Sequence, residues 1–168
     1  VCSSDLSVAL KTDGTLWSWG GNNYGQLGLG NMNSYSSPMQ VGTLTNWLTV
    51  VGGYNHTAAI KTNGTLWTWG YNNLGQLGLN NTTSYSSPKQ VGAFTNWSSV
   101  SCGQCFSFAI KTDGTLWGWG QNAYGTLGFG NTTYYSSPKQ VGALTNWSSV
   151  SCGFFFTLAI KKDGTLWA

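Results

Sequence analysis

The chain has 168 residues, the size of one ordinary domain, and only 7% of them are charged. The formal net charge of +3 comes from seven Lys and four Asp, because the chain contains no Arg and no Glu. This charge is too weak and too evenly spread for a nucleic-acid binder, and no segment approaches the ~20 apolar residues of a membrane-spanning helix. We therefore expect neither a nucleic-acid partner nor membrane insertion.

The chain repeats with a period of 50 residues, and the register never slips. The recurring positions are Gly14, Gly64, Gly114 and Gly164, Trp17, Trp67, Trp117 and Trp167, and Trp47, Trp97 and Trp147. A fixed period of this size is typical of repeat architectures, in which each unit buries its apolar face against its neighbours. We divide the chain into repeats 7–46, 47–96, 97–146 and 147–168, about three and a third copies in one domain.

The first six residues, 1–6, depart from this pattern. Ser3 stands where the later copies have Gly53, Gly103 and Gly153, and we assign no role to Cys2. The chain also begins without Met and stops inside an expected strand. We therefore predict a piece of a longer protein whose residues 1–6 are a non-native or degenerate start.

Four short strands are predicted in the unit that starts at Trp97. Residues 97–102 and 106–111 suit half-buried strands, and Asp113-Gly114 is a strong hairpin signal before a third strand at 115–119. A loop rich in Gly and Asn then runs from 121 to 137, and Pro138 precedes a short fourth strand at 139–142. Because Pro has no N–H to donate, we expect this last strand at the sheet edge.

Four short antiparallel strands per repeat predict an all-β fold of β-propeller blades. A helical solenoid would need apolar residues at a 3.6-residue period, and none is seen. A parallel β-helix has shorter coils and needs no hairpin in every unit. We expect residues 1–168 to form an incomplete propeller arc.

The repeats resemble those of the regulator of chromosome condensation repeat family. The matching blocks are Ser101–Gly103, His56–Ile60, Asn63–Gly70 and Asn72–Gly78, with Ser87-Pro88 and Val91. The resemblance implies four-stranded blades, commonly seven to a closed ring, and the Thr-Asn-Trp links suggest the bacterial or viral branch. One departure is the family's His, present only as His56 and replaced by Phe106 and Phe156.

Few residues suit catalysis. His56 is the only His, and three of the four Asp belong to hairpin turns. Cys102 and Cys105 form a C-x-x-C at a strand end without a second pair, so we interpret Cys102 as a small buried residue facing the axis. The Gly-rich loops lack the Gly-Lys-Ser/Thr of a phosphate-binding loop. We predict no enzyme activity, no cofactor and no metal site.

The two rims of the predicted blades differ. The Asp/Asn-Gly hairpins and the Thr-Asn-Trp links share the hairpin rim, where recurring Lys should form an arc of solvated charge, with weak electrostatic steering as the alternative. The turns after Gly53, Gly103 and Gly153 and the long loops form the variable rim, where the copies diverge. The candidate partner-binding residues are Tyr24, Tyr54, His56, Tyr71, Gln104, Phe106, Gln121, Tyr124, Tyr134, Phe154 and Phe155.

These features predict a non-catalytic module that binds an unidentified protein through the variable rim, since loops on a rigid scaffold are the usual seat of binding. Neutral drift at exposed positions, or a core role for some of the Phe residues, is the other interpretation. A carbohydrate-binding surface or viral adhesin module is the alternative function, because aromatic faces beside Asn suit sugars. The resemblance also raises nucleotide exchange on a small GTPase, but that activity relies on a protruding wedge for which the unbroken period leaves no room. The low charge favours a secreted or surface-exposed setting.

Overall fold

The computed structural model describes residues 5–168, so most of the predicted non-native start lies outside the described residues. The strands are β1 Leu6–Leu10, β2 Leu16–Gly20, β3 Tyr35–Gln40, β4 Trp47–Gly52, β5 His56–Lys61, β6 Leu66–Gly70, β7 Tyr85–Gln90, β8 Trp97–Cys102, β9 Phe106–Lys111, β10 Leu116–Gly120, β11 Tyr135–Gln140, β12 Trp147–Cys152, β13 Thr157–Lys161 and β14 Leu166–Trp167. Over the described range no helix has the length and apolar character needed to cross a membrane.

The strands form four antiparallel sheets in which spatial order follows chain order. Sheet 1 is β1–β3, sheet 2 is β4–β7, sheet 3 is β8–β11 and sheet 4 is β12–β14. The inner strand β8 contacts both β4 and β12, so these three strands lie side by side around a common axis. The predicted all-β fold with four-stranded blades is confirmed, and the described residues form an arc rather than a closed ring.

The hairpin between β9 and β10 shows why the sequence turns there. Asp113 Oδ1 accepts hydrogen bonds from the backbone N–H of Thr115 at 2.9 Å and from its hydroxyl at 2.7 Å. Thr115 Oγ1 in turn accepts the indole N–H of Trp117 at 2.8 Å. Gly114 has a φ of +79°, and a side chain there would strike the carbonyl of Thr145. The hairpins and the links between sheets therefore share one rim, as predicted.

The fourth strand of the third repeat differs from the prediction. It spans Tyr135–Gln140 and includes Pro138, whereas we expected 139–142, and the preceding loop ends earlier than 137. β11 pairs with β10 at Tyr135 and again at Lys139 and Gln140, with an irregularity between. Pro138 lies in that irregular stretch on the outermost strand, so its missing N–H removes no ladder hydrogen bond. The edge position was predicted correctly.

The core lies between the sheets rather than within any one of them. Trp119 of β10 packs with Ala58, Ile60 and Trp97 at the junction between sheets 2 and 3. Leu116, on the opposite face of the same strand, packs with Trp147 at the junction between sheets 3 and 4. Alternate residues of a strand point to opposite faces, so each sheet contributes to two cores.

Hydrogen bonds cross each complete junction at one loop carbonyl. The carbonyl of Gln26 accepts the Thr57 hydroxyl at 2.7 Å and the Trp69 indole N–H at 2.9 Å. The carbonyl of Gln76 accepts Ser107 Oγ at 2.9 Å and the Trp119 indole N–H at 2.8 Å. The copied contacts lock each long loop onto the next sheet.

The third junction is open in the described residues. Sheet 4 ends in the two-residue β14, so no described strand supplies a Trp to the loop around Thr126. A cavity of about 540 Å³ remains there, lined by Leu127, Trp147 and Phe156 among others. Thr57 and Ser107 donate across the first two junctions, but among residues 5–168 their counterpart Thr157 makes no such bond to a loop carbonyl.

Candidate interaction surface

The variable rim is assembled by hydrogen bonds between its turns and its loops. In sheet 2 the N–H of Gly53 donates to the carbonyl of His56 at 2.7 Å, which closes the turn between β4 and β5. The N–H of Tyr71 donates to the carbonyl of Asn55 at 2.8 Å, which ties the long loop to that turn. The same bond joins Gln121 to Cys105 in sheet 3. Turns and loops therefore lie side by side on this rim.

Buried amides hold the long loops in place. Asn72 is fully buried and donates through Nδ2 to the carbonyls of Asn81 at 3.0 Å and Thr83 at 2.9 Å. Its Oδ1 accepts the N–H of Leu77 at 2.9 Å, and Asn122 makes the corresponding contacts in the next copy. A loop held from inside by a buried side chain is a rigid support for the residues it displays.

Four aromatic rings from three sheets form a continuous row, here called the aromatic row. The centroids of Tyr54 and Phe154 are 5.4 Å apart, those of Phe154 and Phe155 are 4.5 Å apart, and those of Phe155 and Tyr124 are 6.3 Å apart. Phe154, Phe155 and Tyr124 are exposed. Tyr54 and Phe154, which are 100 positions apart in the sequence, are thus in contact on the rim.

A cavity of about 230 Å³ opens beside this row at the ends of the inner strands. Its walls are the three copies of one repeat position, Tyr54, Gln104 and Phe154, and its floor includes Cys102 and Cys152. We call it the axial cavity. Burial raises the pKa of the Cys102 thiol well above its usual range and that of Cys152 to about 11, so both remain protonated near neutral pH.

Other predicted residues lie on the same rim but outside the row. Tyr24 packs against Tyr71 across the first junction, with ring centroids 4.7 Å apart. Gln121 is half-buried at the start of its loop. Tyr134 is exposed near the outer end of that loop, before β11 begins.

Two predicted rim residues, His56 and Phe106, do not reach the surface. Phe106 packs in the core with Phe108, at a centroid distance of 6.1 Å, and His56 is fully buried. A Cβ on Gly53 would lie 2.5 Å from the His56 ring, so the glycine provides the space that this side chain fills. Both side chains support their turns from within the core. The prediction that they contact a partner directly is wrong.

The surroundings of His56 determine its protonation. Ser107 Oγ donates to the carbonyl of Gln76, so His56 Nε2 donates to Ser107 Oγ at 2.9 Å. The other nitrogen, Nδ1, is buried and has no partner within residues 5–168. Burial lowers the pKa of His56 to about 4, and the ring is neutral at physiological pH.

The predicted arc of solvated Lys on the hairpin rim is wrong for two of its members. Lys61 and Lys111 are buried, and their ammonium groups lie 3.7 Å and 4.0 Å from the ring centroids of Trp67 and Trp117. Burial lowers the pKa of both groups. These cations pack on aromatic faces and join the strands of the hairpins.

Sequence reasoning also missed the exposure of Phe156 beside the open junction, and it did not distinguish Tyr124 from its counterpart Tyr24. Phe156, the counterpart of His56 and Phe106, is exposed because the described chain places no neighbouring sheet over it. Tyr124 is more exposed than its counterpart Tyr24, which rests on Tyr71 of the following sheet. The period itself was the available signal, since each of these residues depends on the next repeat. Within the described range no three metal-ligating side chains converge.

Solved structures share this fold. The chain matches yeast RCC1 (Prp20) bound to Kap60 with a TM-score of 0.84 and 22% identity over 96% of this chain and 41% of that one. Human WBSCR16 matches with a TM-score of 0.84 and 23% identity over 96% of this chain and 44% of that one. Prp20p from Saccharomyces cerevisiae matches with a TM-score of 0.82 and 19% identity over 92% and 41%. The chain thus spans less than half the length of these proteins.

The repeat itself has a family model. Residues 13–60, 63–110 and 113–160 each match the regulator of chromosome condensation (RCC1) repeat. Each match starts at a hairpin and ends in the second strand of the following sheet, so the family's unit crosses a junction. Taken with the sheet order and the copied junction contacts, these matches over most of the sequence show that the chain belongs to the RCC1 repeat family.

Proposed function

We propose that the chain is a protein-interaction module that contacts its partner through the variable rim. The aromatic row carries this proposal, because it joins three exposed rings and the half-buried ring of Tyr54, from three sheets, in one contiguous surface. Aromatic residues are enriched at protein interfaces, and exposed apolar clusters often mark binding sites. Asn122 orders the loop that carries Tyr124, and the backbone bonds from Gly53 to His56 and from Gly153 to Phe156 close the turns that carry the other rings. A surface held in this way loses less entropy on binding.

The related structures favour a protein as the ligand. One shows Kap60 bound to yeast RCC1 (Prp20), and another concerns the binding of Prp20p to Gsp1p and histones. We infer that this chain uses the same fold for a protein partner of its own.

The residues best suited to chemistry fit structural roles instead. His56 is sealed in the core with a lowered pKa, and the Cys102 and Cys152 thiols have raised pKa values. A general base or a nucleophile needs access and a pKa matched to its task. Binding without catalysis is therefore the proposed activity.

A repeat-swap variant tests the rim. Tyr54→Gln, Tyr71→Gln and Phe155→Asn each install the residue that stands at the same position in another repeat, so the fold should persist. Proteins captured from cells by the immobilised wild-type chain and by the triple variant are compared by quantitative mass spectrometry. We expect the triple variant to lose at least about tenfold in capture, equivalent to about 1.4 kcal/mol.

Phe94→Leu is the matched control. It removes an exposed aromatic residue from the opposite, hairpin rim and installs the residue found at positions 44 and 144. Capture by this control should equal that of the wild type. If the folded triple variant also captures the same proteins, the rim is not the binding surface.

A further inference from the structure

Charge is almost absent from the variable rim. The hairpin rim holds five of the seven Lys and three of the four Asp, namely Lys11, Lys61, Lys111, Lys161, Lys162, Asp13, Asp113 and Asp163. The other two, Lys89 and Lys139, lie on the outer edge strands β7 and β11. Among the described residues, Asp5 is the one formal charge on the variable rim.

The lining of the axial cavity is also uncharged. Backbone glycines, two protonated thiols, the Gln104 amide and the rings of Tyr54 and Phe154 surround it. The N–H of Tyr54 is already directed to the carbonyl of Gly103, and that of Gln104 to the carbonyl of Phe154, both at 3.3 Å. The lining thus offers apolar contact and the amide of one side chain.

The dimensions limit what can bind. The cavity of about 230 Å³ has room for one side chain of a partner. The aromatic row is as long as at most about five residues of extended peptide, at about 3.3 Å per residue. A short segment can therefore cover the row while it places one side chain in the cavity.

We propose that the variable rim binds a short, uncharged segment of a protein, which lies along the aromatic row and inserts one apolar side chain into the axial cavity. This proposal rests on the proposed function and specifies the chemistry of its partner. A carboxylate or ammonium buried against the row would lose its hydration without gaining an opposite charge, which is unfavourable. An apolar side chain placed in the cavity, against the contacting rings of Tyr54 and Phe154, would instead gain apolar contact.

The proposal has a consequence for ionic strength. Recognition between charged surfaces weakens as salt screens the charges. Contact between apolar groups does not rely on that attraction. Binding at this rim should therefore change little with salt.

A random peptide library displayed on phage is the probe. Peptides are selected on the wild-type chain and then tested against the double variant Tyr54→Gln/Phe154→Gln, which gives all three copies of the cavity position the residue of Gln104. Phe94→Leu, on the hairpin rim, serves as the matched control. We expect peptides that bind the wild type and the control alike and lose at least about tenfold in affinity for the double variant.

The sequences and salt response of those peptides decide the inference. Uncharged apolar peptides whose affinity changes less than about twofold between roughly 0.05 and 0.5 M NaCl support it. Rim-dependent peptides that are charged, or that weaken strongly with salt, would overturn the inference and leave the proposed function standing. Failure to select any rim-dependent peptide, or rim-dependent binding on a glycan array alone, would overturn both.

Discussion

At the residue scale, one repeat position accommodates two different chemistries. His56 and Phe106 occupy equivalent space above Gly53 and Gly103, and both are buried. The imidazole has a hydroxyl partner for one nitrogen only, so adding a second proton would create a buried cation without an acceptor. The fold therefore requires a ring of suitable shape at this position and does not depend on protonation of that ring.

This contrast predicts a pH dependence of stability. The pKa of His56 is about 4 in the folded chain and 6.5 in the unfolded chain, so between these values the unfolded state binds more protons. The free energy of unfolding should be greatest above pH 6.5. It should decrease as the pH drops towards 4, by at most about 3 kcal/mol. The exchange His56→Phe, which copies residue 106, should remove this slope. Urea unfolding at several pH values measures the effect.

A second titration is centred at lower pH and is common to the wild type and the variant. Hydrogen bonds from Thr15, Thr115 and Thr165 lower the pKa values of Asp13, Asp113 and Asp163 below 3.8. The stability that these carboxylates contribute is lost only as the pH falls below that value, in the wild type and the variant alike. A His56→Phe chain that kept the slope between pH 4 and 6.5 would contradict the assignment.

Burial at single positions was the part of the site that sequence could not supply. The divergence between copies was visible in the sequence, and the turns and loops that carry it do lie side by side on one rim. His56 and Phe106 were misplaced because their burial depends on side chains in the next repeat, such as Ser107 for His56. Lys61 was misplaced because a charged side chain suggests solvent, whereas here it lies over the Trp67 ring.

At the element scale, the junction between sheets relies on close approach to a glycine. Gly78 has a φ of +71°, and a Cβ there would lie 2.8 Å from Trp119 Nε1. Gly128, its counterpart one repeat later, has a φ of +70°, yet its nearest neighbour would be Val141 Cγ1 at 3.5 Å. The two positions share one backbone conformation and differ in what covers them.

The pair makes a matched test of the junction. Gly128→Ala should cost about 1–2 kcal/mol for the left-handed conformation alone. Gly78→Ala should cost that amount and a further 1–3 kcal/mol, roughly, because the methyl group displaces the Trp119 indole. Denaturant unfolding of the two variants gives the difference. Equal costs would mean that the indole contact contributes little.

Local signals located the first three strands of each blade, and tertiary pairing shifted the fourth. Asp113-Gly114 fixed the hairpin because only certain residues adopt its turn. Pro138 suggested a strand start, although Tyr135 already pairs with Gly120 on the other side of an irregular stretch. Such an irregularity depends on the partner strand, so no local rule could find it.

At the scale of the whole molecule, the first two junctions show which contacts are not formed at the third junction of the described arc. At the first two junctions Trp69 and Trp119 each donate to a loop carbonyl of the preceding repeat. At the third, the same loop borders a cavity of about 540 Å³. The contact that the third junction lacks is therefore an indole N–H donated to the loop carbonyl of the preceding repeat.

Completing sheet 4 should therefore stabilise the chain. Ala168 is replaced by a copy of residues 118–140, which brings a second Trp119 to the open junction. Unfolding in urea should then occur at a higher concentration than for the 168-residue chain. The control extension, with the copied Trp changed to Ala, should be less stable than the intact extension by about 3–5 kcal/mol. Identical midpoints for the two extensions would contradict the interpretation of the cavity.

The loop carbonyls that accept a hydroxyl and an indole across each junction have a genetic consequence. Every complete junction uses the same atoms at the same spacing, so a duplication or deletion of 50 residues by unequal recombination rebuilds an equivalent junction wherever it occurs. Copy number can then change in a single step, without compensating mutations. The side chains of the aromatic row take no part in these hydrogen bonds, so they can diversify by single substitutions.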